Sequence, residues 1–418
     1  MYWWLRSLKV EGGDLAIDAL GLVDGLTEAE RSAIFHDDAA RDRLAMAYAI
    51  GGMLTFDSER SALAAGWLRN AAALLDQIAG DSNPLLQLAA PLARLVAGDG
   101  LSVPHVFDRA VDYPHPWISG VARVLRGQVE LNVGAVQAAE ADFLEAERML
   151  AEIGERWGTS VSLSSLATLA GWRGEYLAAV ACDERALALM TELGSLEDEV
   201  QARLNLARDL WLAGGDERER SRAELASALR GADELGWPEV TANAAYTAGN
   251  LARMEGDLDT ALAQLTRGAE IAARPGLPGQ LAAVIGSSLG CLAAVAGDLA
   301  AARVSHDRAL QEALAAGDAP VIAQVLVGLG DLALREGDPM GAATLLGAAE
   351  GVRGTTDRSI PEELSVADAV RGALTSAQWD DAFQRGRGAT LATLDAVLGT
   401  VVTRDAGGLG PRGARTPR

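Results

Sequence analysis

A glycine turn recurs at a nearly constant interval through the middle of this chain. Successive members of the series lie 40 to 42 residues apart, at Gly134, Gly174, Gly214, Gly256, Gly297 and Gly337. An acidic residue follows Gly174, Gly256, Gly297 and Gly337 directly, and follows Gly214 after one more glycine. A fixed period in this range is typical of a stacked repeat array, in which each unit packs only against its neighbours. The spacing therefore predicts a solenoid.

Each period contains two helices around its turn, and the segment from Gly249 to Ala261 shows the pattern. An apolar helical stretch runs up to Gly256, and glycine accepts the positive φ that ends a helix. Asp257 is an acid suited to cap the next helix, and apolar residues resume at helical spacing from Leu258. The repeating unit is therefore predicted to be a helix hairpin.

Small residues occupy two fixed positions in most of these periods. Seven residues before the turn glycine stand Gly127, Ala167, Ala207, Gly249, Gly290 and Gly330. Twelve residues after it stand Ala146, Ala186, Gly268, Ala309 and Ala349, and Ala228 joins them when two extra residues follow Gly214. Small side chains at fixed positions let the two helices of a hairpin approach closely.

These positions resemble the tetratricopeptide repeat (TPR) family, whose Leu-Gly pair is present at Leu289-Gly290 and Leu329-Gly330. The period is longer than the common 34 residues of that family, and the usual aromatic residue of the first helix is mostly missing. The resemblance implies an all-α fold, a right-handed α-α superhelix that forms a TPR-like solenoid of helix hairpins with a period of about 41 residues.

The flanks of the repeats are also helical in pattern. Tyr2–Arg6 followed by Glu11–Ala16 indicates one more helix-turn-helix unit, and Thr27 with Glu30 forms a possible capping box. We expect a loop containing Pro361, followed by two helices. The predicted divisions are divergent N-terminal helical repeats over 1–125, six regular repeats over 126–355, capping helices over 356–403 and a disordered tail over 404–418.

Both ends resemble the helical repeat region of AfsR-like and large ATP-binding LuxR-type bacterial transcriptional regulators. The Tyr2–Arg6 segment is similar to the start of that region, and Leu345–Glu350 with Trp379–Arg387 are similar to its C-terminal cap. Such regulators also carry an ATPase module and a DNA-binding domain. A P-loop needs a lysine after glycine, but the sole lysine, Lys9, follows Leu8. The resemblance therefore implies the sensing part alone, as a fragment, a truncated product or a stand-alone relative.

Charge and composition exclude several classes of partner. The formal net charge is −22, which argues against direct binding to nucleic acid or to an anionic membrane, because both need a basic face. The N-terminus lacks the pattern of a secretory signal, and the two cysteines, Cys182 and Cys291, have no Cys-x-x-Cys spacing. We therefore expect a cytoplasmic protein with reduced thiols.

Motifs that suggest chemistry are better explained by the repeats. Gly286–Gly290 matches the Gly-x-Ser-x-Gly elbow around Ser288, but it includes the Leu-Gly pair of a repeat helix. Gly408–Gly413 matches a dinucleotide-binding pattern in the glycine-rich tail, where no strand precedes it. The histidines are scattered, without a ligand pair at helical spacing, at His36, His105, His115 and His306. We expect no enzymatic activity, no cofactor and no metal.

The inner face of the first helices is the candidate binding surface. In this architecture those helices line a concave groove, and amides, arginines and aromatic residues there are suited to hold a peptide, a carboxylate or a small metabolite. The groove residues predicted from the repeat register are Gln128, Thr168, Trp172, Gln201, Arg208, Trp211, Asn243, Tyr246, Asn250, Arg253, Gln324 and Asp331. The alternative is a solvated wall whose aromatic residues pack between repeats.

Two functions are compatible with this sequence. The first is a non-catalytic binding and sensor module of a bacterial transcriptional regulator, whose groove takes a peptide, a partner domain such as the ATPase or DNA-binding domain of a regulator, or a small effector. The alternative is a stand-alone TPR scaffold for assembling protein complexes.

Overall fold

The computed structural model describes residues 9–55, 60–79, 82–97 and 104–399. Within these ranges the chain is helical and contains no strand, so the all-α prediction is confirmed. Short 3₁₀ segments occur at Pro84–Leu88 and Pro104–Phe107. The α-helices are α1 (Lys9–Asp24), α2 (Glu28–Ile34), α3 (Asp38–Leu54), α4 (Ser61–Leu75), α5 (Ala89–Val96), α6 (Asp108–Val111), α7 (Pro116–Asn132), α8 (Val136–Glu152), α9 (Trp157–Arg173), α10 (Tyr176–Leu193), α11 (Leu196–Ala213), α12 (Glu217–Leu235), α13 (Pro238–Glu255), α14 (Leu258–Ala272), α15 (Gly279–Val295), α16 (Leu299–Ala316), α17 (Ala319–Arg335), α18 (Pro339–Arg353), α19 (Pro361–Ala373) and α20 (Ser376–Arg387).

The chain forms two compact units, Met1–Ala282 and Ala283–Arg418. In the first unit consecutive helices pack as hairpins, α7 on α8, α9 on α10, α11 on α12 and α13 on α14. In the second unit α17 packs on α18 in the same way. The helix hairpin predicted from the glycine period is therefore the building block of the fold. The predicted divisions at residues 125 and 355 stay predictions.

The turn glycines adopt the left-handed conformation that the pattern requires, with φ of 80° at Gly134 and 90° at Gly337. At Gly256 the glycine N–H donates to the carbonyl of Arg253, and the next N–H, of Asp257, donates to the carbonyl of Ala252. This pair of bonds satisfies carbonyls that a helix end leaves without partners. The predicted acid caps form at Asp257, Asp298 and Asp338.

The predicted cap is wrong at two turns. Glu175 makes no capping bond, and its carboxylate accepts from Nε of Arg173 at 3.0 Å instead. Asp216 has φ −69° and ψ −17°, so its backbone is already helical and its side chain is not in capping geometry.

A second series of left-handed glycines lies at or shortly after the end of the second helix of each hairpin, and the sequence interpretation missed it. It lies about twenty residues after the first series, at Gly154, Gly194, Gly236, Gly276, Gly317 and Gly354. The two interleaved series mark both turns of every repeat.

The small residues before each turn make room for one large side chain. A Cβ on Gly127 would lie 2.7 Å from the ring of Phe143, and a Cβ on Gly249 would lie 2.6 Å from Leu265. Phe143 and Leu265 are fully buried and stand nine residues after their turn glycines. The repeat pattern is therefore a packing rule, in which a small residue on the first helix faces a large one on the second.

His306 occupies that large position in its repeat. Its ring is completely buried, lies against Gly290 and Gly328, and has Nδ1 3.4 Å from Oγ of Ser287. Burial, helped by the charge of Arg303, lowers the pKa of His306 to about 4 from its usual 6.5. The folded protein therefore holds His306 neutral at pH values where the unfolded chain takes up a proton.

We expect His306 to make the second unit sensitive to acid. As pH falls from 6.5 to about 4, the unfolded chain binds a proton that the folded chain does not, which costs about 3 kcal/mol of stability. Urea unfolding at pH 7 and pH 4.5 should show this loss, and His306→Leu should reduce it. His115→Gln, at an exposed position, is the matched control. An unchanged acid loss in His306→Leu would contradict the assignment.

The N-terminal helices include one confirmed prediction and one error. Thr27 and Glu30 form the capping box of α2, with Thr27 N–H donating to Glu30 Oε2 at 2.9 Å. The helix-turn-helix unit predicted from Tyr2–Arg6 and Glu11–Ala16 has no turn within Glu11–Ala16, because α1 runs through these residues. Gly13 serves helix packing, since a Cβ there would lie 3.2 Å from the carbonyl oxygen of Leu54. The Tyr2–Arg6 segment lies outside the described residues.

The two C-terminal sequence blocks pack directly on each other. Gly347 of α18 and Gly386 of α20 lie where each helix crosses the backbone of the other. Trp379 stacks on Phe383 with ring centroids 4.9 Å apart and contributes to the core of this unit. Pro361 begins α19 rather than lying in a loop, because proline is favoured in the first turn of a helix. The predicted disordered tail lies outside the described residues.

Candidate functional site

A pocket of about 390 Å³ opens between α7, α9 and α11 in the first unit. Three of the predicted groove residues, Gln128, Thr168 and Gln201, contribute to its wall. The full lining consists of Gln128, Leu131, Ser160, Val161, Ser164, Ser165, Thr168, Met190, Asp198, Gln201, Ala202 and Asn205. First helices of three successive hairpins thus supply almost the whole wall, and only Met190 comes from a second helix.

Hydroxyl groups cover the α9 side of the pocket. Ser165 Oγ donates to the carbonyl of Val161 at 2.9 Å and accepts from Gln128 Nε2 at 2.7 Å. Thr168 Oγ1 donates to the carbonyl of Ser164 at 3.1 Å. The bond from Gln128 crosses from α7 to α9 and fixes the amide at the pocket wall.

Amide groups cover the α11 side. Gln201 Nε2 donates to Asn205 Oδ1 at 3.1 Å, and Gln201 Oε1 accepts from Asn243 Nδ2 of α13 at 2.5 Å. The chain of three amides leaves Gln201 exposed while orienting it from both ends. Side-chain amides carry both donors and acceptors, so this wall can bind a ligand group of either kind.

Asp198 is the one charged residue in the pocket lining. It lies in the first turn of α11 and accepts a hydrogen bond from Ser195 Oγ at 2.6 Å. Because the other lining residues are neutral, the electrostatic character of this pocket is negative at the Asp198 end.

The structure places other predicted groove residues outside the pocket. Arg208 donates to its neighbour Asp209 through Nε at 2.7 Å and Nη2 at 3.2 Å, so its fork binds a carboxylate of the protein itself. Trp172 is buried in a core cluster with Phe143. Trp211 lies under the guanidinium of Arg218, 4.9 Å from the ring centroid.

Asp209 belongs to a buried acid pair. Asp183 and Asp209 are both fully buried, and neither carboxylate oxygen of Asp183 has a hydrogen-bond partner within the described residues. Burial, reinforced by the charge of Asp209, raises the pKa of Asp183 well above its usual value, although Arg208 opposes this. Asp183 takes the position that Phe143 and Leu265 hold in their repeats, so a buried acid stands there in place of an apolar side chain.

The predicted residues on α13 form a separate group. Asn250 Nδ2 donates to the carbonyl of Tyr246 at 3.2 Å, and Asn250 Oδ1 accepts from Nε and Nη2 of Arg253, each at 3.2 Å. Asn243 is not part of the pocket lining and bonds to Gln201, which is.

Gln324 and Asp331 lie on α17 in the second unit. Asp331 is buried and accepts from Arg335 Nε at 2.8 Å. Three of the twelve predicted residues, Gln128, Thr168 and Gln201, therefore line the pocket between α7, α9 and α11, and the groove as a whole stays a prediction.

Sequence reasoning missed most of the polar residues in the pocket. Ser164, Ser165, Asp198 and Asn205 were not among the predicted residues, although they supply much of its polar lining. A detectable signal was the density of hydroxyl residues in α9, where Thr159–Ser165 holds five of them.

Local geometry argues against a nucleophile elbow at Ser288. Gly286–Gly290 lies within α15, and Ser288 Oγ donates to the carbonyl of Val284 at 3.0 Å, one turn earlier in the same helix. The side chain is buried rather than exposed at a strand end. Among the residues the structure describes, no three His, Cys, Asp or Glu side chains are grouped to hold a metal ion. None of the described helices is long and apolar enough to cross a membrane.

Comparisons with known proteins identify a fold and no family. No protein-family model matches the sequence, and no curated protein is similar enough to count as a match. The crystal structure of a Rap protein complexed with competence and sporulation factor is 15% identical, with a TM-score of 0.59, covering 87% of this chain and 99% of that chain. Apo RapI is 11% identical, with a TM-score of 0.48, covering 87% of this chain and 99% of its own.

Aspartyl phosphate phosphatase F from Bacillus subtilis is 13% identical, with a TM-score of 0.45, covering 91% of this chain and 97% of its own. The first likeness supports one conclusion, that the chain has a TPR-like helical repeat fold.

Proposed function

We propose that the pocket between α7, α9 and α11 binds a peptide segment, and that the protein acts through binding rather than catalysis. The main support is the composition of the pocket wall. Amide and hydroxyl side chains on the first helices of three successive hairpins line it. Peptide backbones present alternating N–H and C=O groups, and Gln128, Gln201 and Asn205 offer matching acceptors and donors. A pocket of about 390 Å³ is also within the usual range for ligand sites.

The charge of the pocket favours a ligand with a positive group. Asp198 is the only charged side chain in the lining, whereas Arg208 already binds Asp209. An ammonium or guanidinium group beside Asp198 would form a charge-assisted hydrogen bond, while a carboxylate would be repelled. The ligand proposed here is therefore a peptide with a cationic group, and the Rap structure bound to its factor is a precedent for ligand binding on a related fold.

A peptide-binding screen tests this proposal. Thermal shift against mixed-sequence short peptides identifies binders, and Asp198→Asn should weaken a cationic binder by roughly ten-fold or more, since hydrogen bonds to charged groups contribute about 1.5–3 kcal/mol. Glu197→Gln is the matched control, because Glu197 is the adjacent acid and does not line the pocket. Equal binding by wild type and both variants would exclude this pocket.

For the wider role we propose the sensor part of a bacterial transcriptional regulator of the AfsR-like or LuxR type. The support is the pair of C-terminal blocks, Leu345–Glu350 and Trp379–Arg387, whose helices pack on each other here. Co-expression with candidate ATPase and DNA-binding domains encoded nearby, followed by co-purification, tests it. A bound ATPase or DNA-binding domain would favour this role.

The stand-alone scaffold remains the second candidate, since a TPR-like fold supports it equally well. Affinity purification from the native cell distinguishes the two roles. A stable complex of several proteins that includes no regulator component would favour the scaffold.

A further inference from the structure

Three carboxylates and two guanidiniums meet where α7 packs against α6 and α8, and the exposed His105 adjoins them, with Nδ1 3.6 Å from Asp108 Oδ2. The carboxylates are Asp108, Glu130 and Asp142, and the guanidiniums are Arg123 and Arg126. With His105 neutral, ion pairing between the three carboxylates and the two guanidiniums would leave one negative charge unpaired. Such a surplus matters little in water but is costly where the carboxylate is buried.

Hydrogen-bond geometry identifies Glu130 as the surplus acid. Arg126 donates to Asp142 through Nε at 2.6 Å and Nη2 at 2.8 Å, and to Asp108 through Nη1 at 3.0 Å. Arg123 Nη1 also donates to Asp142, at 3.2 Å. All three nitrogens of Arg126 are thus engaged, and Glu130 Oε1 stands 3.9 Å from the nearest of them.

The environment of Glu130 disfavours its charge. The residue is 8% exposed, and its Oε2 is buried without a hydrogen-bond partner within the described residues. Burial, followed by the charge of Asp142, raises the pKa of Glu130 to about 7. Asp108 acts in the same direction, while Arg126 and His105 oppose it.

We infer that Glu130 is a proton-binding site that sets how firmly α7 is held against α6 and α8 across the neutral pH range. When Glu130 is protonated, the two remaining carboxylates, Asp108 and Asp142, balance the two guanidiniums, and His105 at the exposed edge contacts Asp108. In the ionised form a third, buried carboxylate lacks a direct partner and repels Asp142. Since α7 also carries Gln128 and Leu131 of the pocket wall, the proton state of Glu130 acts on the helix that supports the pocket. The inference does not depend on what the pocket binds.

The direction of the pH effect follows from proton binding in the two states. The folded chain keeps the Glu130 proton up to about pH 7, whereas the unfolded chain releases it near the usual 4.5. Stability of the first unit therefore declines as pH rises from 4.5 to 7 and is level above that range. This is opposite in direction to the effect of His306, which acts in the second unit.

Replacing Glu130 by glutamine tests the inference, because the amide keeps the shape of the protonated acid. We expect Glu130→Gln to raise the thermal unfolding midpoint at pH 8, with the gain vanishing near pH 5. Glu152→Gln, on the exposed surface of α8, should show no such dependence on pH. A gain of the same size at both pH values, or a loss at pH 8, would overturn the inference.

A second measurement keeps the test independent of unfolding. ¹³C NMR of the glutamate carboxyl groups should show one that titrates near pH 7 and disappears in Glu130→Gln. Asp108→Asn removes one acid and releases Arg126 Nη1, so it should move this titration to lower pH. A Glu130 carboxyl that titrates near 4.5, or a midpoint that Asp108→Asn leaves unchanged, would contradict the inference.

Discussion

Replacing Gly386 by alanine should break the packing of the C-terminal helices. A Cβ at this position would overlap the carbonyl oxygen of Thr344 and lie 2.7 Å from the backbone nitrogen of Ala348. Backbone atoms of α18 cannot rotate away as a side chain can, so α18 and α20 would have to separate. We expect a loss of at least about 3 kcal/mol, at the upper end of overpacking costs.

Hydrogen exchange followed by mass spectrometry measures this effect where it occurs. Protection of α18, α19 and α20 should fall in Gly386→Ala. Gly372→Ala is the matched control, because Gly372 lies in α19 with no atom within 4 Å of an added Cβ. The control should be neutral or slightly stabilised, since alanine favours helix over glycine by up to about 1 kcal/mol. If Gly386→Ala and Gly372→Ala show the same hydrogen-exchange protection in α18, α19 and α20, α18 and α20 do not cross this closely.

Gly347→Ala, on α18, should cause the same loss of stability and of hydrogen-exchange protection as Gly386→Ala on α20. Its added Cβ would overlap the carbonyl oxygen of Phe383, and Gly351, one turn later in α18, faces the carbonyl oxygen of Arg387 in the same way. Glycines on both helices thus permit one crossing. This contact joins the two sequence blocks, Leu345–Glu350 and Trp379–Arg387, in the folded chain.

The fold was largely predictable because its information is local and repeated. A glycine such as Gly256 ends a helix through its own backbone conformation, and a cap such as Asp257 bonds three residues ahead. Interactions of this range leave their mark at a fixed spacing in the sequence. The pattern misled within Glu11–Ala16, where Gly13 permits two helices to pack closely instead of ending one.

The binding site was much less predictable than the fold. Which partner a side chain bonds to depends on neighbours that do not recur at the repeat spacing. The repeat register identified Gln128 and Gln201 as inner-face residues, and both line the pocket. The same register included Arg208, whose fork is taken by the buried Asp209 next to it. It also included Trp172, which is large enough to reach into the core. Periodicity thus indicates a helix face, whereas a binding site depends on what each side chain on it contacts.

Substitution in the buried ion pair of the second unit should reduce stability as much as substitution at the glycine crossing of α18 and α20. Arg353 is completely buried, and its Nη1 donates to Glu363 Oε2 at 2.8 Å. The other oxygen of Glu363 accepts from the backbone N–H of Asp357 at 3.0 Å. Burial raises the pKa of Glu363, and the charge of Arg353 acts against this. The carboxylate thus joins α18, α19 and the loop between them.

Glu363→Ala should cost about 3–5 kcal/mol, because it leaves a guanidinium charge buried without its carboxylate. Asp368→Ala in the same helix is the matched control, since its pair with Arg371 is exposed and worth at most about 1 kcal/mol. Urea unfolding of the two variants at pH 7 measures the difference. The buried pair would have no special role if both variants lost the same stability.

The double variant Arg353→Met/Glu363→Leu distinguishes two free-energy terms. One is the net stabilisation by the ion pair, and the other is the cost of leaving one charge buried without its partner. Apolar side chains of similar volume remove both charges together, so no buried charge is left uncompensated. We expect the double variant to recover most of the stability that Glu363→Ala loses. Without recovery, the hydrogen bond from Asp357 to Glu363 would be the main contribution, because the leucine removes its acceptor while the backbone N–H stays buried.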